Sequence, residues 1–274
     1  MRWIIQGDLS KEDGLSNLIK AVKDKNLDYR LVKPIPFTNL IVDLDLDING
    51  YNADDIPQWT IENDKPMITM GSYTLARIAQ QRKWTPGSFI NENFEFSKWV
   101  KGWGIDNMLN GDATEAKVKD IIVPDGFDKI FARPSEDTKF FAGQVFERDN
   151  LRFWLKEVMA CEDSETLNAE TYIIIAPYKE ILAEYRLFVI DGIIVTGSLY
   201  KIKDQVITGV HLDPVAIDFA KKMIAKWEPD RAYVLDIAIT ENGPKIIEIN
   251  NMNSSGFYKS DVSKIVDAIE TMKF

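Results

Sequence analysis

The sequence predicts an α+β protein in two parts: an α/β domain over residues 1–112 and a strand-rich α+β domain over residues 113–274. Three observations predict this. Short apolar runs alternate with helical spacing over the first part, as in an α/β layer. Two hairpins, over residues 184–200 and 232–249, dominate the second part. The turn-forming run Asn110-Gly111-Asp112-Ala113 lies between the parts.

In chain order, Trp3-Ile4-Ile5 reads as a strand. Leu15, Leu18, Ile19 and Val22 give Leu15 to Lys25 a helical stripe. Tyr29 to Val32 is the next strand-like run, and Leu40-Ile41-Val42 follows. Asp43, Asp45 and Asp47 mimic the opening of a calcium loop. The helix pair and closing Glu of an EF-hand are missing, so they read as a polar strand edge or loop. Pro66 to Met70 is a strand that runs into Gly71-Ser72 and a helix from Tyr73 to Gln81. That order can offer backbone N–H groups to an anion, but the Walker and Rossmann glycine spacings are absent. Trp84, Phe89, Phe94, Phe96, Trp99 and Trp103 form an aromatic-rich stretch. It reads mainly as interdomain core, with a few positions left to line a substrate pocket.

The second part continues the pattern. Ile130 to Arg133 is a strand stopped by Pro134, followed by an acidic loop, Lys139 and Gly143. An arginine at a strand end can grip phosphate at two points; taken alone, Arg133 and Lys139 are equally two surface bases. Asn150 to Ala160 is a helix with Leu151, Trp154, Leu155 and Val158 on one face. Thr171 to Ala176 is a buried strand ended by Pro177. Glu184 to Tyr200 folds back at Asp191-Gly192, a favoured hairpin turn. Glu184 and Arg186 share one face of it, with Ser198 and Tyr200 as weaker companions. Pro214 to Trp227 is a helix, and His211 before it reads as a loop residue and not a base. The tail, Asp261 to Met272, is an amphipathic helix.

The stretch Tyr233 to Tyr258 organises the whole. Ala232 to Thr240 and Lys245 to Ile249 alternate as two hairpin arms, so Glu248 and Asn250 share a face. A two-residue Asn242-Gly243 turn would put Asp236 on the opposite face from Glu248. A three-residue loop with a left-handed Gly243 would set Asp236 directly across from Glu248. Two facing carboxylates repel and lose hydration, so a cation between them is expected. The set Asp236, Glu248 and Asn250 offers only oxygen, which suits a hard ion such as Mg²⁺ completed by phosphates.

Bulk composition narrows the function. The 274 residues are 45% hydrophobic and carry a net charge of −10, which argues against a general nucleic-acid surface. The single Cys161 fits a reducing, cytoplasmic setting, and one histidine leaves little for a zinc site or a Ser-His-Asp triad. No signal peptide or membrane-spanning run is expected.

An Asp on one strand followed by Glu-x-Asn on the next resembles the metal-binding signature of the ATP-grasp superfamily. The trailing run Asn253 to Tyr258 looks like the loop that follows it in a clade of the superfamily common in bacteria and phages. The resemblance implies an ATP-grasp fold, two α+β subdomains gripping ATP, at about residues 113–175 and 176–274, behind the N-terminal domain. It implies Mg²⁺ held by Asp236, Glu248 and Asn250. Arg133 and Lys139 would lie over the phosphates, although the superfamily more often has Lys at the first position and more glycine in the loop. Ile174, Ala176 and Tyr178 at the hinge would contact adenine, Glu184 the ribose, and Arg186 the γ-phosphate. The implied activity is a carboxylate–amine ligase working through an acyl phosphate, on small-molecule, peptide or protein-terminus substrates. A small-molecule kinase or a nucleotide-binding module on the same fold are the alternatives.

Overall fold

A computed structural model describes residues 1–9, 14–35, 38–47, 49, 51, 55–57, 59–62, 64–135, 141–161 and 167–274. The apolar runs of the N-terminal part form β1 (Arg2–Gln6), α1 (Leu15–Asp24), β2 (Asp28–Pro34), β3 (Ile41–Asp43), β4 (Met67–Met70), α2 (Tyr73–Gln81) and β5 (Pro86–Gly87). They assemble into a sheet of order β3-β2-β1-β4-β5. β1 runs parallel to both β2 and β4, and all five of its residues are buried, as a central parallel strand requires. Asp43 ends β3 and Asp47 accepts the Asn49 N–H at 3.0 Å, so this acidic run is a strand edge and turn.

The aromatic stretch contains a helix that its density of rings conceals, α3 (Phe96–Trp103). The remaining elements are β6 (Thr114–Lys117), β7 (Lys129–Pro134), β8 (Gln144–Glu147), α4 (Arg148–Ala160), β9 (Tyr172–Pro177), β10 (Ala183–Ile190), β11 (Ile193–Ile202), α5 (Pro214–Lys226), β12 (Ala232–Thr240), β13 (Gly243–Asn251) and α6 (Val262–Thr271). They build two antiparallel sheets, β6-β9-β7-β8 and β11-β10-β12-β13. On the first, Ile130, Ala132, Ile173 and Ile175 pack under Leu151, Leu155 and Val158 of α4. The residues that alternate with them, Phe131 and Arg133, face the other way.

The second sheet has a divided face. Tyr185, Leu187, Val189, Leu235 and Ile237 meet α3 and α5. On the opposite face, Phe188, Ile190, Ala232 and Val234 join a core with β1, β4, α1 and α6. Two residues further along the same strands that face turns polar, with Glu184, Arg186 and Asp236. Half of it is thus committed to the N-terminal sheet and half is left for chemistry.

A polar latch reinforces that shared core. The Asn253 side chain accepts the Phe89 N–H at 2.8 Å and donates to the Thr69 carbonyl at 2.6 Å. Its own carbonyl accepts the Gly71 N–H at 2.8 Å. Asn251 donates to the Phe89 carbonyl at 2.9 Å. The N–H groups at Gly71 and Ser72 are therefore occupied from within: Ser72 donates to Gln6 Oε1 at 2.9 Å. Asn253→Ala strands a buried N–H and leaves a carbonyl short of a partner, so it should cost about 2–4 kcal/mol. Urea denaturation measures this; a loss below about 0.5 kcal/mol would remove the latch.

Candidate active site

The β12–β13 hairpin pairs Thr240 with Gly243, so Glu241-Asn242 forms the turn and Gly243 (φ 89°) takes the left-handed conformation. Neither turn expected from the sequence is adopted. Asp236 nevertheless lies directly across from Glu248, because the register shifts between Ile237↔Ile246 and Asp236↔Glu248. Ile247 is the extra residue of a β-bulge. Two residues then oppose one, which re-aims the side chains beyond. Ile247 and Glu248 both line the cleft, and Asn250 follows.

The acids are neutralised by guanidinium groups. Arg186, paired with Asp236 across β10 and β12, donates from Nε to Oδ1 at 2.9 Å and from Nη2 to Oδ2 at 2.7 Å. Arg133 reaches over from the other sheet and donates to Glu248 Oε2 at 2.8 Å. The Asn250 amide donates to Asp236 and to Glu248, each at 3.1 Å, and bridges the two carboxylates. Asp236 is wholly buried. Burial pushes its carboxyl upward, Arg186 pulls it down, and the nearby charges of Glu248 and Glu184 add to the upward push. For the Arg186 guanidinium, burial opposes the charge, yet the charge and hydrogen bonds of Asp236 outweigh it and the net shift is upward. With both oxygens taking N–H groups, the pair is ionic.

Aromatic rings frame these cations. Arg133 lies 4.5 Å from the Trp99 ring centroid. Arg186 lies 5.5 Å from Tyr200 and 5.1 Å from Tyr258, whose rings stack on each other. Tyr200 donates to the Glu184 carboxylate, and Lys201 pairs with Glu184 at 3.0 Å. Burial, and the charges of Asp236 and Glu184, hold the Tyr200 phenol well above its ordinary value, so it remains a donor.

Between the two sheets lies a cavity of about 620 Å³, in the range of small-molecule sites. Arg133, Glu184, Glu248, Asn250 and Tyr178 line it, as do the apolar Leu109, Phe131, Ile181 and Ile247. Asp236 and Arg186 sit behind this wall. Ile174 and Ala176 are buried and lie outside the lining; Ile174 packs with Trp99 and Tyr185. None of the aromatic residues from 84 to 103 lines the cavity among the described residues. Ser198 is buried beside Ser260. Lys139 lies outside the described residues. Lys201, Leu109, Asn110 and Ile247 reach the cavity without having been singled out by the sequence, since their positions follow from a bulge and a linker path.

The donor set fits a hard cation shared with phosphates. Among the described residues no group of three or more His, Cys, Asp or Glu is placed to hold a metal ion. Two carboxylates and an amide suit Mg²⁺, which keeps much of its shell for water and phosphate.

Two antiparallel sheets closing on a cleft, with a polar row at one end and an apolar slot at the other, define an ATP-grasp fold. The chain belongs to the family described as ATP-grasp domain, R2K clade family 3, which matches residues 58–269. Similar solved structures include D-cycloserine synthetase DcsG, with TM-score 0.64 at 10% identity over 98% of each chain. D-alanine–D-alanine ligase from Bacillus anthracis complexed with ATP gives TM-score 0.60 at 14% identity, covering 98% of this chain and 91% of that one. A RimK domain ATP-grasp protein from Sphaerobacter thermophilus gives 0.62 at 13% identity, covering 98% and 100%. No curated protein matched.

Proposed function

We propose that the protein is a Mg-ATP-dependent carboxylate–amine ligase acting through an acyl phosphate. The observation that carries this reading is the row of Arg133, Glu248 and Asn250 on one cleft wall, backed by Asp236 and Arg186. The ligase names among the similar structures support it.

A carboxylate is a poor acyl donor because oxide is its leaving group. Its oxygen attacks the γ-phosphorus of ATP and ADP departs. The amine then attacks the acyl carbon and phosphate leaves. No side-chain nucleophile is needed, so the protein supplies position and charge. Arg133 and Lys139 neutralise phosphate oxygens. Glu184, held by Tyr200 and Lys201, accepts the ribose hydroxyls, and Tyr178 with the apolar slot takes the base. Glu248 and Asn250, with Asp236 behind them, would hold Mg²⁺, which supplies Lewis-acid stabilisation of the phosphates. Arg186 orients Asp236. Its Nη1, which among the described residues donates only to the Gly256 carbonyl at 3.4 Å, is the edge that would turn from behind the wall to meet the transferred group or the later oxyanion. The acceptors fall in the class of small-molecule, peptide or protein-terminus carboxylates and amines.

A thermal shift with ATP, with and without Mg²⁺, tests the site. Ligand at about 100 times its Kd adds about 2.7 kcal/mol of stability, which is several degrees for a chain of this size. ADP release that requires both a carboxylate and an amine would establish the ligase. A stable phosphorylated product formed without amine would make it a kinase. Binding without any ADP would make it a nucleotide-binding module.

A further inference from the structure

The linker between the two parts carries a polar side chain that the proposed mechanism leaves idle. Asn110 is only 7% exposed and lines the cavity. Its backbone carbonyl accepts the Ala113 N–H at 3.0 Å, but its carboxamide makes no hydrogen bond among the described residues. Among the described residues, the side-chain atoms that are both sealed and unpartnered belong to Trp99, Arg148 and Tyr233. The Asn110 amide is therefore unpartnered yet open to the cavity. A carboxamide buried without partners is costly, and one that faces a cleft is satisfied by what the cleft holds.

Its surroundings say which part of a ligand it meets. Leu109 donates to the Ile246 carbonyl at 2.7 Å, which lays the linker along β13 beside the bulged Ile247. Lys179 bonds Asp112 at 2.6 Å and the Pro177 carbonyl at 3.3 Å, which ties the turn after Asn110 to the segment carrying Tyr178. Asn110 thus shares its stretch of the cavity wall with Leu109, the bulged Ile247 and the segment carrying Tyr178.

We propose that Asn110 reads the nucleobase and selects adenine over guanine. This rests on the nucleotide reading above. The carboxamide oxygen accepts from the exocyclic amine of adenine while its NH₂ donates to the neighbouring ring nitrogen. A carboxamide meets adenine this way in two hydrogen bonds. Guanine shows two acceptors on one edge. On its other edge the matching pair comes in reverse order, so a side chain held in one orientation tells them apart.

The test is calorimetric titration of Mg-ATP and Mg-GTP, without acceptor substrates, into wild type, Asn110→Ala and Asn110→Asp. Wild type should prefer ATP. Asn110→Ala should lose about tenfold in ATP affinity and little for GTP. Asn110→Asp, which only accepts, should shift the preference toward guanine with its adjacent N1–H and N2–H donors. The two nucleotides share ribose and phosphates, so their ratio is insulated from general damage, and melting curves without nucleotide report the fold. An unchanged ATP-to-GTP ratio in both variants, including an equal loss of both, overturns the assignment while leaving the nucleotide site standing. Wild type that binds neither nucleotide overturns both.

Discussion

Glu248→Gln is expected to reduce ADP release by at least about 100-fold while leaving the melting temperature of the free protein nearly unchanged. Gln keeps the length and can still accept from Arg133; the charge is lost, together with the one oxygen that accepts from Asn250. The Glu248 side chain is 30% exposed and meets Arg133 from the opposite sheet, so its removal strands little buried charge. The Mg²⁺-dependent part of the ATP-induced stabilisation should fall with activity. Activity within about threefold of wild type, a loss under about 1 kcal/mol in transition-state stabilisation, would end the assignment of Glu248 to the metal and phosphates. Asp236→Asn is a poorer probe of the same question. It leaves a buried guanidinium facing a neutral amide, so folding and activity would fail together.

The largest stability effect should come from Arg186→Ala. Asp236 is fully buried and gives both oxygens to Arg186. Removing one partner of a buried pair leaves an uncompensated charge and costs about 3–5 kcal/mol. The double replacement Arg186→Met with Asp236→Leu should recover most of that stability, since apolar side chains of similar volume replace a buried pair at little net cost. It would be inactive. Urea denaturation of the wild type, the single and the double variant forms the measurement. If the single variant is as stable as wild type, the pair is not an ion pair in solution. If the double variant is no better than the single, the loss was one of packing and not of charge.

Much of this fold was legible because the punctuation was strong. Asp191-Gly192 fixed one hairpin, Pro134 and Pro177 ended strands, and the stripes of α1, α4 and α6 were regular. Helix α3 was missed although Phe96, Trp99, Val100 and Trp103 have helical spacing, because six aromatics in twenty residues read as bulk core. The site was legible at the level of residue types: Asp236, Glu248, Asn250, Arg186 and Arg133 do gather at one place. Their pairing was not. Sequence chemistry called for a cation between the acids and gave no sign that guanidinium groups from two different sheets also pair with them, a tertiary fact with no local signal. The facing of Asp236 and Glu248 was expected from a three-residue loop and is produced by a bulge four residues further along β13. A bulge depends on neighbouring strands and leaves no mark as clear as a turn.

That bulge has a consequence for how the chain tolerates insertions and deletions. Strand side chains alternate, so a one-residue slip exchanges the faces of everything beyond it. The Glu241-Asn242 turn alone would send Glu248 and Asn250 to the far side of the sheet, among the residues that pack on α5. Ile247 restores them. A residue added to the surface turn and looped out there leaves Thr240 opposite Gly243 and the acid row in place. Loss of Ile247 leaves Glu248 next to Ile246 and still across from Asp236, at the expense of one apolar wall residue in the cleft. A residue added or lost between Gly243 and Ile246 exchanges the faces of Glu248 and Asn250, so chain length in this hairpin is free at the turn and at the bulge and fixed between them.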